Sequence, residues 1–225
     1  MPKGSGNRRL EVVGYLESAV LSGKLKPGTH LPEVRLAREL GVSQAIVREA
    51  LQELEGRGLI LKQANLGSRV VELTSDDLKA IYQVRRELEP LAFMLAAQQM
   101  NEKVYSTLEG CVIGMEAAGR LGDFLEFARC DILFHRSVWA SQPNRYLERC
   151  LVTVCMPLFV YDLITRASTT AIDYARVGQQ HRMLLTAMQV RDAAFVQKLT
   201  DRMMQGWLRI HLEDFQRHTA KNSID

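Results

Sequence analysis

LPEVRLARELGVSQAIVREALQELEGRGLI, residues 31–60, holds two short helical patterns joined through a glycine. Glu33 to Leu40 reads as one helix, ended by Gly41. Ser43 stands where an N-cap belongs, and a second helix follows to about Glu55, stopped by Gly56 and Gly58. Helix, tight turn with glycine, helix is the helix-turn-helix pattern. Upstream, Arg8 to Leu21 carries apolar residues at Leu10, Val13, Leu16 and Val20, a further helical stripe broken by Gly23, Pro27 and Gly28. Downstream, LILKQ and SRVVEL are two short β-rich runs around Ala64-Asn65-Leu66-Gly67, read as a hairpin. Residues 8–72 therefore read as a winged helix-turn-helix, with the hairpin as its wing.

The helix after Ser43 sorts its faces. Val47, Leu51 and Leu54 lie at i, i+4 and i+7 and can pack inward. Gln44, Arg48 and Gln52 lie at i, i+4 and i+8 on another face. Arginine and glutamine are the side chains that pair bidentately with guanine and adenine edges in the major groove. The first turns of such a helix enter the groove, and Gln44 and Arg48 sit there.

Charge supports the same reading. Residues 1–72 hold 11 Lys and Arg against 8 Asp and Glu, and the rest of the chain is balanced. The whole excess of +3 thus lies in the first third, which suits a polyanion partner. An apolar content of 47% excludes wholesale disorder, and 225 residues suit two modest domains. No apolar run reaches the ~18 residues of a membrane span. MPKGSGNRRL has no apolar signal core. Cys111, Cys130, Cys150 and Cys155 lack CxxC spacing and read as reduced thiols. The expectation is a cytoplasmic protein.

From Ser75 onward the text is helical, with Ser75, Asp76 and Asp77 as a helix start. Segments of roughly 76–99, 101–118, 122–140, 144–166, 170–190 and 192–215 predict an antiparallel all-α bundle of six helices, with 216–225 as a frayed tail. Several polar residues interrupt the apolar stripes. Asp131 and His135, one turn apart, share a face with Phe124, Phe127, Phe134 and Val138. His181 heads the row Leu184, Leu185, Met188. Arg85 lies between Ile81 and Leu88, with Glu89 near the edge of that face. An inward carboxylate is costly unless it meets a cation or a metal. Asp-x-x-x-His with a further histidine suits a divalent ion, and an inward arginine can clamp a carboxylate. The same residues also make a self-satisfied core network, so both readings stay open.

The segment 31–60, with its LA-x-x-LGVS-x-x-x-VREAL-x-x-L-x-x-x-GLI pattern, resembles the DNA-binding domain of the GntR family of bacterial transcription regulators, over residues 8–72. The resemblance implies a winged helix that binds a palindromic operator as a homodimer. Its base-reading positions fall on Arg35, Ser43, Gln44, Ala45 and Arg48, and its wing-tip glycine on Gly67. The position after Ser43 usually holds arginine in that family. Gln44 there shifts the preference from guanine toward adenine. Arg9, Lys24, Lys62 and Arg69 are placed for phosphate contacts.

YQVRRELEPLAFMLAA (82–97), DILFH (131–135), PNRYL (143–147) and QHRMLLTAMQVRDAAF (180–195) resemble the FCD ligand-binding domain of FadR-type members, over residues 76–215. That resemblance implies a divalent ion, zinc or nickel, on Asp131, His135 and His181. It places Arg85 as clamp for a small organic acid and Asn144 beside the pocket. The family's remaining histidine falls on Met203, a poor ligand for such ions. Phe93, Phe134, Trp139, Tyr161 and Met203 are expected to set the pocket's size. The implied function is an operator-binding regulator, most often a repressor, answering to a carboxylate effector. The competing expectations are an acyl-CoA-responsive regulator without metal and a metal-dependent hydrolase fused to a DNA-binding module. No nucleophile or separate general base supports the last, so no enzyme is expected.

Overall fold

The computed structural model describes residues 5–63, 67–165 and 172–222. The expected turn residues Ala64, Asn65 and Leu66 lie outside them. Three helices open the chain: α1 (Ser5–Leu21), α2 (Glu33–Leu40) and α3 (Gln44–Gly56). Strands β1 (Ile60–Gln63) and β2 (Gly67–Val70) pair antiparallel, with Ile60 opposite Val70 and Gln63 opposite Gly67. This is a winged helix-turn-helix.

The local chemistry follows the expected punctuation. Gly41 closes α2 at φ +63, a left-handed conformation that a residue with Cβ adopts at a cost. Ser43 caps α3 by accepting from the backbone N–H of Ile46. Gly58 has a second reason to be glycine. At φ +78, a Cβ there would lie 2.5 Å from the carbonyl carbon of Met156. Val47, Leu51 and Leu54 of α3 are buried as the spacing predicts, against α1 and α2. On α1 the buried row is Val12, Val13, Leu16, Ala19 and Val20, whereas Leu10 is 54% exposed. Leu10 therefore leaves the expected stripe, and Val12, one turn before Leu16, takes its place in the core.

Six helices follow: α4 (Ser75–Gln98), α5 (Glu102–Leu121), α6 (Phe124–Ser141), α7 (Arg145–Thr165), α8 (Tyr174–Gln189) and α9 (Ala193–Asn222). The cap of α4 is Thr74, one residue before the expected Ser75. Its hydroxyl and backbone N–H engage Asp77 in a reciprocal capping box. Helix α5 runs through Gly119 and ends at Gly122, φ +71. Helix α9 continues to Asn222, beyond the expected end at 215, since 216–222 contain no glycine or proline to stop it.

The described residues fall into two compact units. One comprises 5–63, 67–73 and 155–165; the other comprises 74–154 and 172–222. In the second, α5 packs on α6 and α8, and α4 packs on α9, α6 and α8. The second half of α7 groups with the N-terminal unit, a membership that periodicity could not reveal.

Candidate functional site

Helix α6 presents Asp131 and His135 one turn apart, and α8 presents His181. His135 and His181 are buried, and the Asp131 side chain is 18% exposed. Their polar atoms converge. Oδ1 of Asp131 lies 3.0 Å from Nε2 of His181 and 3.7 Å from Nε2 of His135, and the two Nε2 atoms are 3.4 Å apart. A tetrahedral ion with bonds of about 2.0–2.2 Å sets its ligands roughly 3.3 Å apart. The three separations bracket that value.

The far side of each ring explains why Nε2 faces the centre. Nδ1 of His181 donates to the Val177 carbonyl at 2.9 Å. Nδ1 of His135 stands 3.0 Å from Oε1 of Glu89. The Val177 carbonyl can only accept, so it places a proton on Nδ1 of His181. Two imidazole nitrogens and a carboxylate oxygen converge on one spot. Such a set is held either by protons shared between the rings and the carboxylate or by a cation. The oxygen and nitrogen donors suit a borderline divalent ion.

Periodicity puts Glu89 near the edge of its helix face, but it is fully buried. Its Oε2 accepts from Nε and Nη2 of Arg85 at 3.2 and 2.9 Å. The four-residue spacing Arg85 to Glu89 is the signal that would have found this pair. Burial pushes the Glu89 carboxyl up, but Arg85 and His135 outweigh it and hold the group at about 2. Burial opposes charge on Asp131 too. His181, with help from His135 and Arg85, still brings it below the ordinary carboxylate value. Burial lowers His181, and Asp131 more than restores it. Phe93, Phe134 and Trp139, all buried, surround the His135 ring at 5.8–5.9 Å between centroids.

The other expected ligand-site residues lie elsewhere. Asn144 is exposed and caps α7, its Oδ1 accepting from the N–H groups of Tyr146 and Leu147. Met203 is buried on α9 and lines a cavity of about 640 Å³ with Val177, Gln180 and Trp207. Tyr161 belongs to the part of α7 that groups with the N-terminal unit. His211 pairs with Tyr82: its Nδ1 lies 3.1 Å from the Tyr82 hydroxyl and 2.7 Å from the Trp207 carbonyl.

The second cluster lies on the helix-turn-helix. Gln44, Ala45 and Arg48 are exposed on the first turns of α3. Glu33 of α2 joins the two polar ones. Nε2 of Gln44 donates to its Oε2 at 2.9 Å. Arg48 donates to the same oxygen from Nε at 3.1 Å and from Nη2 at 2.9 Å. The Arg48 hydrogen bond, then that of Gln44, holds the Glu33 carboxyl below its ordinary value. Arg35 is exposed beside Glu39, and Gly67 opens β2 at φ +79. Among the expected phosphate contacts, Arg9 pairs with Glu53, Lys24 sits 3.3 Å from the Tyr15 hydroxyl, and Lys62 is exposed on β1. Arg69 donates to the Gly28 carbonyl at 3.4 Å.

The winged helix-turn-helix and the all-helical domain that follows it each match a known family. The model described as "FCD domain" matches residues 80–206, and that described as "Bacterial regulatory proteins, gntR family" matches residues 8–70. The chain belongs to the GntR family of bacterial regulators, with a C-terminal FCD domain. The "Probable D-xylose utilization operon transcriptional repressor" of Paenarthrobacter nicotinovorans is 29% identical over 182 residues, 81% of this chain and 79% of its own. The gluconate operon transcriptional repressor of Bacillus subtilis is 27% identical, covering 83% of this chain and 78% of its own. The structure of Escherichia coli McbR/YncC shares the fold, with a TM-score of 0.70 at 23% identity over 92% of this chain and 98% of that one.

Proposed function

We propose that this regulator is a repressor, homodimeric on a palindromic operator, whose residues 8–72 read DNA and whose residues 76–215 bind a small carboxylate effector. Arg35, Ser43, Gln44, Ala45, Arg48 and Gly67 serve the DNA interface. Asp131, His135 and His181 hold a divalent cation, zinc or nickel, and Arg85 contributes positive potential for the effector's carboxylate. Asn144 stands outside that cluster as the α7 cap, and Met203 serves as a cavity wall. The single observation that carries the effector reading is the convergence of a carboxylate oxygen and two imidazole nitrogens within a largely buried cluster. A bound ion would supply a fixed positive charge for a carboxylate oxygen. The residues themselves orient and exclude water: Val177 and Glu89 fix the imidazoles, while Phe93, Phe134 and Trp139 keep the surroundings apolar. The relatives bear the names of transcription regulators, which supports a sensing role for the domain over a catalytic one. Names of repressors among the relatives support the sign of regulation. Effector control is a population shift, which requires different affinities for the two states of the regulator.

The test has two arms on the full chain. Zinc or nickel raises the melting temperature, and a screen of organic acids on the metal-loaded protein raises it further by mass action. A chelator reverses both shifts. Arg48→Ala abolishes selection of a specific duplex while leaving the metal and acid responses in place. Stabilisation by acyl-CoA that is indifferent to chelator would favour the metal-free reading. Specific DNA selection by the Arg48→Ala protein would refute the role of Arg48.

A further inference from the structure

Two long polar side chains on α3 share one acceptor on α2. An arginine carries five N–H donors, one on Nε and two on each Nη, arranged on the fixed edges of a planar fork. Glu33 occupies the edge formed by Nε and Nη2 of Arg48. The opposite edge keeps both Nη1 hydrogens and the second Nη2 hydrogen. That end-on edge spans two acceptors spaced like O6 and N7 of guanine. Gln44 gives one Nε2 hydrogen to Glu33. It keeps the other, with Oε1 beside it, which is the donor–acceptor pair that matches an adenine edge. Both head groups are otherwise free to swing, since Gln44 and Arg48 are exposed.

From this geometry we propose that Glu33 is a positioning residue for base reading: its carboxylate holds the rear edges of Arg48 and Gln44 and aims the remaining edges at the groove. The proposal rests on the reading that Arg48 and Gln44 contact bases. A carboxylate beside a DNA-binding face repels phosphate, so Glu33 opposes non-specific affinity. What it offers in exchange is order. Two rotamer-rich side chains enter the groove already oriented, and less freedom is lost on docking. The same two hydrogen bonds hold the Glu33 carboxyl below its ordinary value.

The experiment begins with wild-type full-length protein selecting a consensus from a random duplex library. Affinities for the consensus and for every single-base variant are then measured for wild type, Glu33→Ala, Glu33→Gln and Arg48→Ala. We expect Glu33→Ala to lose roughly tenfold of discrimination at the bases where Arg48→Ala loses it. Its binding to unrelated duplex stays equal or tightens, and its melting temperature and salt slope stay unchanged. Glu33→Gln, which keeps an acceptor without the charge, falls between the two. Discrimination retained within about twofold by Glu33→Ala, while Arg48→Ala loses it, overturns the positioning role. A uniform tightening on all duplexes overturns it too, since Glu33 would then act only as a repelling charge. Wild-type discrimination in Arg48→Ala, or no consensus from the wild type, overturns instead the base-reading assignment beneath it.

Discussion

The same bond occurs twice in this molecule. Glu33 accepts from Nε and Nη2 of Arg48 at 3.1 and 2.9 Å, and Glu89 accepts from Nε and Nη2 of Arg85 at 3.2 and 2.9 Å. Geometry does not distinguish them; surroundings do. The Arg48 and Glu33 side chains are 60% and 26% exposed, against 6% and 0% for Arg85 and Glu89. On the surface, water and salt compete for both ions, so the pair can open and reclose. In the core neither ion has an alternative partner in water, so the pair is a fixed part of the fold. One protein thus uses one interaction as a solvent-exposed pair on its helix-turn-helix and as a fixed part of its helical core.

The largest effect expected from this contrast is at Glu89. Glu89→Ala removes the buried carboxylate that accepts from Arg85 and costs about 3–5 kcal/mol, measured by urea or thermal unfolding. A loss below about 1 kcal/mol would mean that water already reaches the pair, and the contrast would fail. The pH dependence has a definite sign. The folded Glu89 carboxyl is held at about 2, below its ordinary 4.5. Its contribution is therefore complete above pH 4.5 and is lost as pH falls from there toward 2. Glu89→Gln should flatten that stretch of the acid limb. An unchanged limb would assign the acid sensitivity to other carboxylates.

The next effect belongs to the cation. Zinc at a hundred times its dissociation constant adds about 2.7 kcal/mol. For a chain of this size that is a rise of about 5–10 °C in melting temperature. Asp131→Asn and His181→Ala should each remove the rise, and a chelator should reverse it. If Asp131→Asn retains the full shift, the ion binds elsewhere, and the buried cluster is a proton-sharing network only.

How much of this was legible in the text follows from how local each feature is. Gly41, Ser43 and the Val47, Leu51, Leu54 row are decided within a turn or two of chain, and they stand as the spacing implied. Asp131, His135 and His181 could be named because inward polar residues break apolar rows one at a time. Their convergence could not, since it depends on how α6 and α8 meet. Glu89 shows the limit within one helix. Its position at the edge of a face left its burial undecided, and the neighbours that decide it come from α6. Glu33 shows the limit between helices: Gln44 and Arg48 lie 11 and 15 residues away, and only the angle of the helix-turn-helix brings the three together. Leu10 and the extension of α9 past 215 lie where periodicity says least, at the ends of elements.

The smallest effect is the sharpest test of the contrast. Glu33→Gln removes a charge from a pair with the same bonds as that of Glu89, yet its melting temperature should stay within about 2 °C of wild type. Raising the salt to about 1 M should shrink even that difference, because charges on the surface are screened within a few ångströms. The difference made by Glu89→Gln should survive the same salt, since no ions penetrate the core. If the two variants respond alike to salt, exposure is not what separates the pairs. Glu33 would then be a structural strut of the helix-turn-helix, held as firmly as Glu89.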